Sequence, residues 1–140
     1  MESIKARNKW ANAHTSYPFD FLRIALGIFL LFKGISFITN SSDLTEEFST
    51  LSNFTGGMFI FHYVAAAHIM GGIMIAFGLL TRWAIWAQLP ILVGAVAINF
   101  VGTMKPWSLV IALSTLIVCC FFLYYGSGKH SADYYFKLQK

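Results

Sequence analysis

The sequence predicts an all-α integral membrane protein, a single domain of 140 residues folded as a bundle of four membrane-spanning helices. Hydrophobic residues make up 57% of the chain and charged residues only 11%, whereas an ordinary soluble domain carries roughly 25% charged residues. Three long windows contain no Lys, Arg, Asp or Glu, and a fourth contains only three such residues. Each window is about as long as the 17–25 residues that cross a hydrocarbon core as a helix. The predicted spans are 19–38, 59–80, 83–101 and 107–125.

This composition excludes a soluble enzyme, a disordered chain and a disulfide scaffold. The net charge is +4, but the basic residues are scattered over the termini and short connections, so nucleic acid is not an expected partner. The expected partners are the lipid bilayer and either another membrane protein or a second copy of the chain. Cys119 and Cys120 are adjacent, which places their Cα atoms closer than ordinary disulfide geometry prefers.

Residues that suit helix ends lie at the predicted boundaries. Ser16 can cap the first span, and Pro18 suits its first turn because the missing N–H would have no partner there. Thr81 is predicted to cap the third span, and Pro106 opens the fourth. Pro90 falls inside the third span and predicts a kink. Amphipathic rings, which favour the membrane interface, lie near the ends at Tyr17, Trp83, Trp86, Trp107, Tyr124 and Tyr125.

The connections predict the orientation. Seven Lys and Arg residues lie in the tails, 1–18 and 126–140, and in the connection between the second and third spans, whereas the opposite side has only Lys105. The positive-inside rule therefore places both termini in the cytoplasm of a multi-pass protein of the inner cell membrane. In the outer connection, 39–58, apolar residues at helical spacing behind Asp43 predict a short amphipathic helix.

Alternate spans run in opposite directions, so the rise per residue assigns a depth to each polar residue within them. Two polar layers result, with His68 near mid-depth between them. The outer layer contains Lys33, Ser36, His62, Asn99 and Tyr63, and the inner layer contains Asp20, Arg23, Gln88 and Tyr124.

Small residues predict close packing of the first two spans. Gly27 and Gly34 share one stripe of the first helix with Arg23, and Gly71, Gly72 and Gly78 form a small-residue face on the second, so the two backbones can approach closely.

Arg23 has two interpretations. An ion pair with Asp20, three residues earlier, would anchor the helix end, whereas a guanidinium facing the bundle interior could hold a polar or anionic head group. For Lys33, the favoured interpretation is that its long stem carries the ammonium to the outer head groups.

The histidines define the cofactor hypotheses. His62 and His68 are on one helix and point about 120° apart, so they cannot be the two axial ligands of one haem. No cluster of Asp, Glu, Cys and His has the spacing of a metal site, and no metal is expected. Either histidine could donate a hydrogen bond to a quinone carbonyl, although a membrane-buried histidine is more often a packing residue.

Two segments carry a recognisable pattern. The first reads Phe-Leu-Arg-Ile-Ala-Leu-Gly from residue 21 and ends in Lys-Gly at 33–34, and the second closes in Gly-Leu-Leu-Thr-Arg at 78–82. Together they resemble the DoxX family of small four-helix membrane proteins. The resemblance covers about residues 19–125 and implies a compact bundle and a place in redox biology. The family takes its name from a subunit associated with a terminal quinol oxidase and is similar to subunits of a thiosulfate:quinone oxidoreductase. The family often has His or another polar residue where Lys33 stands.

Two hypotheses from different classes remain. The first is an accessory subunit of a quinone-linked or thiol-redox membrane complex, with a quinone or lipid bound between the helices and no intrinsic cofactor. The second is a non-catalytic scaffold or assembly factor whose polar layers serve helix packing. The candidate ligand-binding residues are Arg23, Lys33, His62, His68 and Asn99.

Overall fold

The computed structural model describes residues 2–14, 16–39, 57–101 and 106–137, and within these residues the chain is helical with no strand. The predicted amphipathic helix behind Asp43 lies outside the described residues. The helices in chain order are α1 (Glu2–Ala13), α2 (Tyr17–Thr39), α3 (Gly57–Phe77), α4 (Thr81–Val101), α5 (Pro106–Tyr125) and α6 (Ala132–Tyr135).

The distribution of polar and apolar side chains is that of a protein dissolved in lipid. Phe59 is 82% exposed and Phe21 75% exposed, whereas the interior side chains of Arg23 and Gln88 are 2% and 0% exposed. Three of the described helical segments are long and apolar enough to cross a bilayer: Tyr17–Thr39, Phe59–Phe77 and Pro106–Tyr125. The chain is therefore a membrane protein, because water would not tolerate so many large exposed apolar side chains.

The long helices pack mainly on their neighbours in the chain. The contact of α2 with α3 is the most extensive, followed by those of α4 with α5 and of α3 with α4. We call the end at which α2 and α4 begin and α3 and α5 end the near end, and the opposite end the far end. At the near end, the ring of Phe19 on α2 lies 5.5 Å from that of Phe121 and 5.3 Å from that of Tyr125, both on α5.

Glycines bring α2 and α3 together. A Cβ atom on Gly27 would collide with the backbone nitrogen of Ala76 and lie 2.6 Å from the carbonyl oxygen of Gly72. Towards the far end, a Cβ atom on Gly34 would lie 2.9 Å from the Cβ of His68. The two backbones therefore touch where side chains would otherwise separate them. Gly71 lies on another face of α3, where the amide of Gln88 on α4 occupies the space of a Cβ.

The N-terminal tail contains a helix that docks on the end of α5. Ala11 of α1 is buried, and its carbonyl oxygen accepts a hydrogen bond from the Tyr125 hydroxyl at 3.4 Å. The Trp10 ring meets the Tyr125 ring edge to face, with 6.4 Å between centroids. The first turn of α2 forms on the carbonyl oxygen of Ser16, which accepts hydrogen bonds from the amides of Phe19 and Asp20. The Ser16 hydroxyl donates to the backbone carbonyl oxygen of His14 instead of capping the helix, contrary to the expectation from the sequence.

Gly27→Ala is expected to lower the free energy of unfolding by about 1–3 kcal/mol, because the added methyl group meets backbone atoms of α3 that cannot move independently. The measurement is unfolding of the purified protein in detergent, followed by circular dichroism. Gly94→Ala is the matched control, since nothing lies within 4 Å of a Cβ at Gly94. It should be neutral or stabilising, because alanine favours a helix more than glycine does. Equal stability of the two variants would contradict close backbone contact at Gly27.

Candidate functional site

The near end is closed by the C-terminal segment, which turns back after α5. Gly126 and Gly128 have φ angles of 85° and 72°, a conformation that glycine adopts without strain. Ser131 then caps α6, with its hydroxyl oxygen accepting from the amide of Tyr134 at 3.3 Å and its hydroxyl donating to the carbonyl of Gly128 at 2.7 Å. This turn carries residues 130–133 across the starts of α2 and α4.

Asp133 provides the acceptor for the start of α4. Its two carboxylate oxygens accept hydrogen bonds from the backbone amides of Leu80, at 2.6 Å, and Thr81, at 3.2 Å. Its own amide donates to the carbonyl oxygen of Gly78 at 2.9 Å, and its side chain is buried. The first amides of a helix have no partner within the helix, and the positive end of the helix dipole favours a negative charge. A carboxylate more than 50 residues away in sequence thus caps α4.

The prediction that Thr81 caps this helix is wrong. The Thr81 hydroxyl is buried and has no hydrogen-bond partner among the described residues, whereas the Thr81 amide is bound by Asp133. An ionised carboxylate binds two amides more strongly than one hydroxyl can, so it takes the capping position.

Arg23 is enclosed at the centre of the near end. Its Nη2 atom donates to the carbonyl oxygen of His130 at 3.1 Å and lies 3.9 Å from a carboxylate oxygen of Asp20. The guanidinium occupies the space in which Gly78 would carry a Cβ, and Gly78 has a φ angle of 70°. The Nε and Nη1 atoms of Arg23 have no partner among the described residues. The ion pair with Asp20 is therefore present, and the guanidinium also faces the interior.

His130 completes this set of contacts. Its Nδ1 atom lies 2.7 Å from the second carboxylate oxygen of Asp20, and its ring stacks on that of Tyr17 with 5.5 Å between centroids. Asp20 therefore bridges α2 to the C-terminal segment. We call Asp20, Arg23, Gly78, His130 and Asp133 the near-end junction.

The remaining predicted ligand residues lie apart from Arg23, towards the far end. Lys33 is exposed, with its ammonium 5.9 Å from the centroid of the Phe29 ring. His62 is exposed, with its ring edge to face against Phe61. His68 and Asn99 are half-buried, and each hydrogen bonds to the carbonyl oxygen four residues earlier in its own helix.

A groove of about 280 Å³ runs between α3 and α4. At its edge, the Tyr63 hydroxyl donates to the carbonyl oxygen of Ala87 at 2.9 Å. Deeper between the helices, the Gln88 amide donates to the carbonyl oxygen of Ala67 at 2.6 Å. None of the predicted ligand residues lines the groove, which is formed by Tyr63, Ala66, Ala67, Met70, Gly71, Met74, Trp83, Ala84 and Ala87.

Sequence reasoning missed His130 and Asp133, because both were assigned to a cytoplasmic tail. The available signal was small: Asp133 is the only acidic residue after residue 125, and it follows a serine in Ser-Ala-Asp. A serine followed by an acidic residue is typical of a helix start, but it does not show what the acidic residue binds. Among the described residues, no group of three or more His, Cys, Asp and Glu side chains could hold a metal ion.

Comparison with known proteins confirms the resemblance noted in the sequence. The DoxX family model matches residues 19–103, more than half of the chain. No curated protein and no solved structure matches the chain. The matched region includes Arg23 and Gly78 of the near-end junction, whereas His130 and Asp133 follow it.

Asp133→Asn is expected to lower the free energy of unfolding by about 1–3 kcal/mol, because a neutral amide offers one acceptor oxygen to two backbone amides, of which that of Thr81 is buried. Thermal unfolding of the purified full chain in detergent tests this expectation. Lys137→Gln is the control, since it removes one charge from an exposed position in the same segment. If both variants unfold at the same temperature, Asp133 does not hold the start of α4.

Proposed function

The chain belongs to the DoxX family, and on that premise we propose that it is an accessory subunit of a membrane-bound redox complex. In this proposal it crosses the membrane four times, keeps both termini in the cytoplasm and supports a partner that carries out the chemistry. The alternation of α2, α3, α4 and α5 supports four crossings, because α4 has 21 residues and packs on both α3 and α5.

The charge distribution supports the orientation. Arg7, Arg82 and Lys129 all belong to the near end, where α1, the start of α4 and the C-terminal segment meet. Basic residues beside membrane spans favour the cytoplasmic side.

The main support for the accessory role is the set of contacts that the charged side chains make at the near-end junction. Both carboxylate oxygens of Asp133 bind backbone amides, and the two oxygens of Asp20 lie against Arg23 and His130. These groups fasten α2, α4 and the C-terminal segment to one another. Intramembrane charges are candidates for function by default, and their contacts here support a role in assembly of the fold.

The groove between α3 and α4 is the best candidate for quinone contact. Its walls are apolar, as an isoprenoid tail requires, and the Tyr63 hydroxyl at its edge is a polar group that can orient a head group. Lys33 and His62 are the alternative contacts, because both are exposed on the lipid-facing surface.

The accessory role is tested by isolating the tagged full chain from its native membranes in mild detergent and identifying the proteins that accompany it. A membrane redox subunit in stoichiometric amount is the expected result. A stable complex that contains no redox subunit would contradict the proposal and favour the scaffold or assembly factor.

Quinone binding in the groove is tested by Ala87→Leu, which fills the groove. Bound quinone, measured by solvent extraction and chromatography, is expected to fall several-fold. Leucine adds three carbon atoms to the side chain, and even one methylene group contributes about 1–3 kcal/mol to discrimination in an apolar pocket. Ala97→Leu makes the same change at an exposed position of α4 and is the control. An unchanged quinone content in Ala87→Leu places the quinone elsewhere, and a parallel series with Lys33→Ala and His62→Ala then tests the lipid-facing contacts.

A further inference from the structure

Two arginines from different helices meet at one aromatic residue of the near end. The guanidinium carbon of Arg7, on α1, lies 5.4 Å from the centroid of the Tyr124 ring. The Nη2 atom of Arg82, at the start of α4, donates to the carbonyl oxygen of Tyr124 at 3.4 Å. The helices α1 and α4 thus place two positive charges around the last turn of α5.

The surroundings hold both guanidinium groups in place. Each arginine is half-buried, and the Nε atom of each is buried with no hydrogen-bond partner among the described residues. The guanidinium of Arg82 packs against Gly126, where a Cβ would lie 3.1 Å from its Nη2 atom. Donors that are buried and unpaired cost free energy until an acceptor reaches them.

Neither guanidinium is neutralised by a carboxylate in the described part of the chain. The two ion pairs found there involve Asp20, whose partners are Arg23 and His130. Asp133 attracts Arg82, but its oxygens bind the amides of Leu80 and Thr81. Arg7 and Arg82 repel each other. The two like charges therefore destabilise each other in the protein alone.

We propose that Arg7 and Arg82, arranged around Tyr124, form a binding site for a phosphate group with uncompensated negative charge. Guanidinium groups bind phosphate oxygens through paired, charge-assisted hydrogen bonds. The ring of Tyr124 is 62% exposed, and it follows the apolar part of α5, at the depth where phospholipid head groups lie. An anionic phospholipid and free phosphate share this chemistry. The site does not depend on the proposed accessory role.

The test is native mass spectrometry of the purified full chain, released from micelles that contain equal amounts of phosphatidylglycerol and phosphatidylcholine with identical acyl chains. Preferential retention of phosphatidylglycerol is expected. Arg7→Gln and Arg82→Gln should each weaken that retention about fivefold, since a basic residue near an anionic surface contributes about 1 kcal/mol. Arg7 is half-buried on the peripheral helix α1, so its variant keeps the result interpretable if Arg82→Gln fails to fold.

Lys9→Gln is the matched control, because it removes the same charge from an exposed position about 200° around α1 from Arg7. It should leave phosphatidylglycerol retention unchanged. Competition with inorganic phosphate separates the two sources: displacement of the lipid at millimolar phosphate assigns the site to free phosphate, and persistence assigns it to a phospholipid. Equal retention of the two lipids, or an equal loss in Lys9→Gln and Arg7→Gln, would overturn the site.

Discussion

Burial of the Arg23 guanidinium is the constraint on which the near end depends. A charged side chain in the membrane costs about 3 kcal/mol or more unless it is paired or reaches water. Arg23 obtains an acceptor from the carbonyl of His130 and a counter-charge from Asp20, and it needs the space that only a residue without a side chain leaves at position 78. These requirements tie α2 to the turn between α3 and α4 and to the C-terminal segment. The two sequence patterns that resemble the DoxX family therefore meet in the structure. One contains Arg23 and the other begins at Gly78, and the Arg23 guanidinium packs against Gly78.

Hydropathy and helix chemistry were sufficient to predict an all-helical membrane protein, because lipid imposes length and composition on each span separately. The close contact at Gly27 and Gly34 also follows from local spacing, since small residues at helical intervals present a flat face. The cap of α4, in contrast, does not follow from local spacing. Asp133 and Leu80 are 53 residues apart in sequence, and no local pattern indicates which carboxylate reaches which helix end. The residues next to the helix start therefore indicate Thr81 as the cap, although Asp133 is the residue that caps α4.

The two ends of the molecule use polar side chains in different ways. At the near end, Asp133 and Arg23 each connect separate parts of the chain. Towards the far end, His68 and Asn99 bond to carbonyl oxygens four residues earlier in their own helices. Such bonds satisfy the polar side chain but do not connect one helix to another. Cohesion there comes from the packing of Gly34 against α3 and of the Phe37 ring against the Phe61 ring, 4.7 Å apart. The near end is held by charge and hydrogen bonds as well.

The near-end junction and the groove between α3 and α4 suit different kinds of ligand. A junction that connects three parts of the chain sets the relative positions of α2, α4 and the C-terminal segment, and Arg82 lies beside it at the start of α4. A charged site for a head group requires such fixed donors, because ordering mobile side chains on binding would consume part of the interaction free energy. The groove between α3 and α4 has the opposite character: its Met and Ala walls are apolar, and a flexible chain can adapt to them. The fold thus combines a connected set of charged side chains at the near end with an apolar groove between α3 and α4.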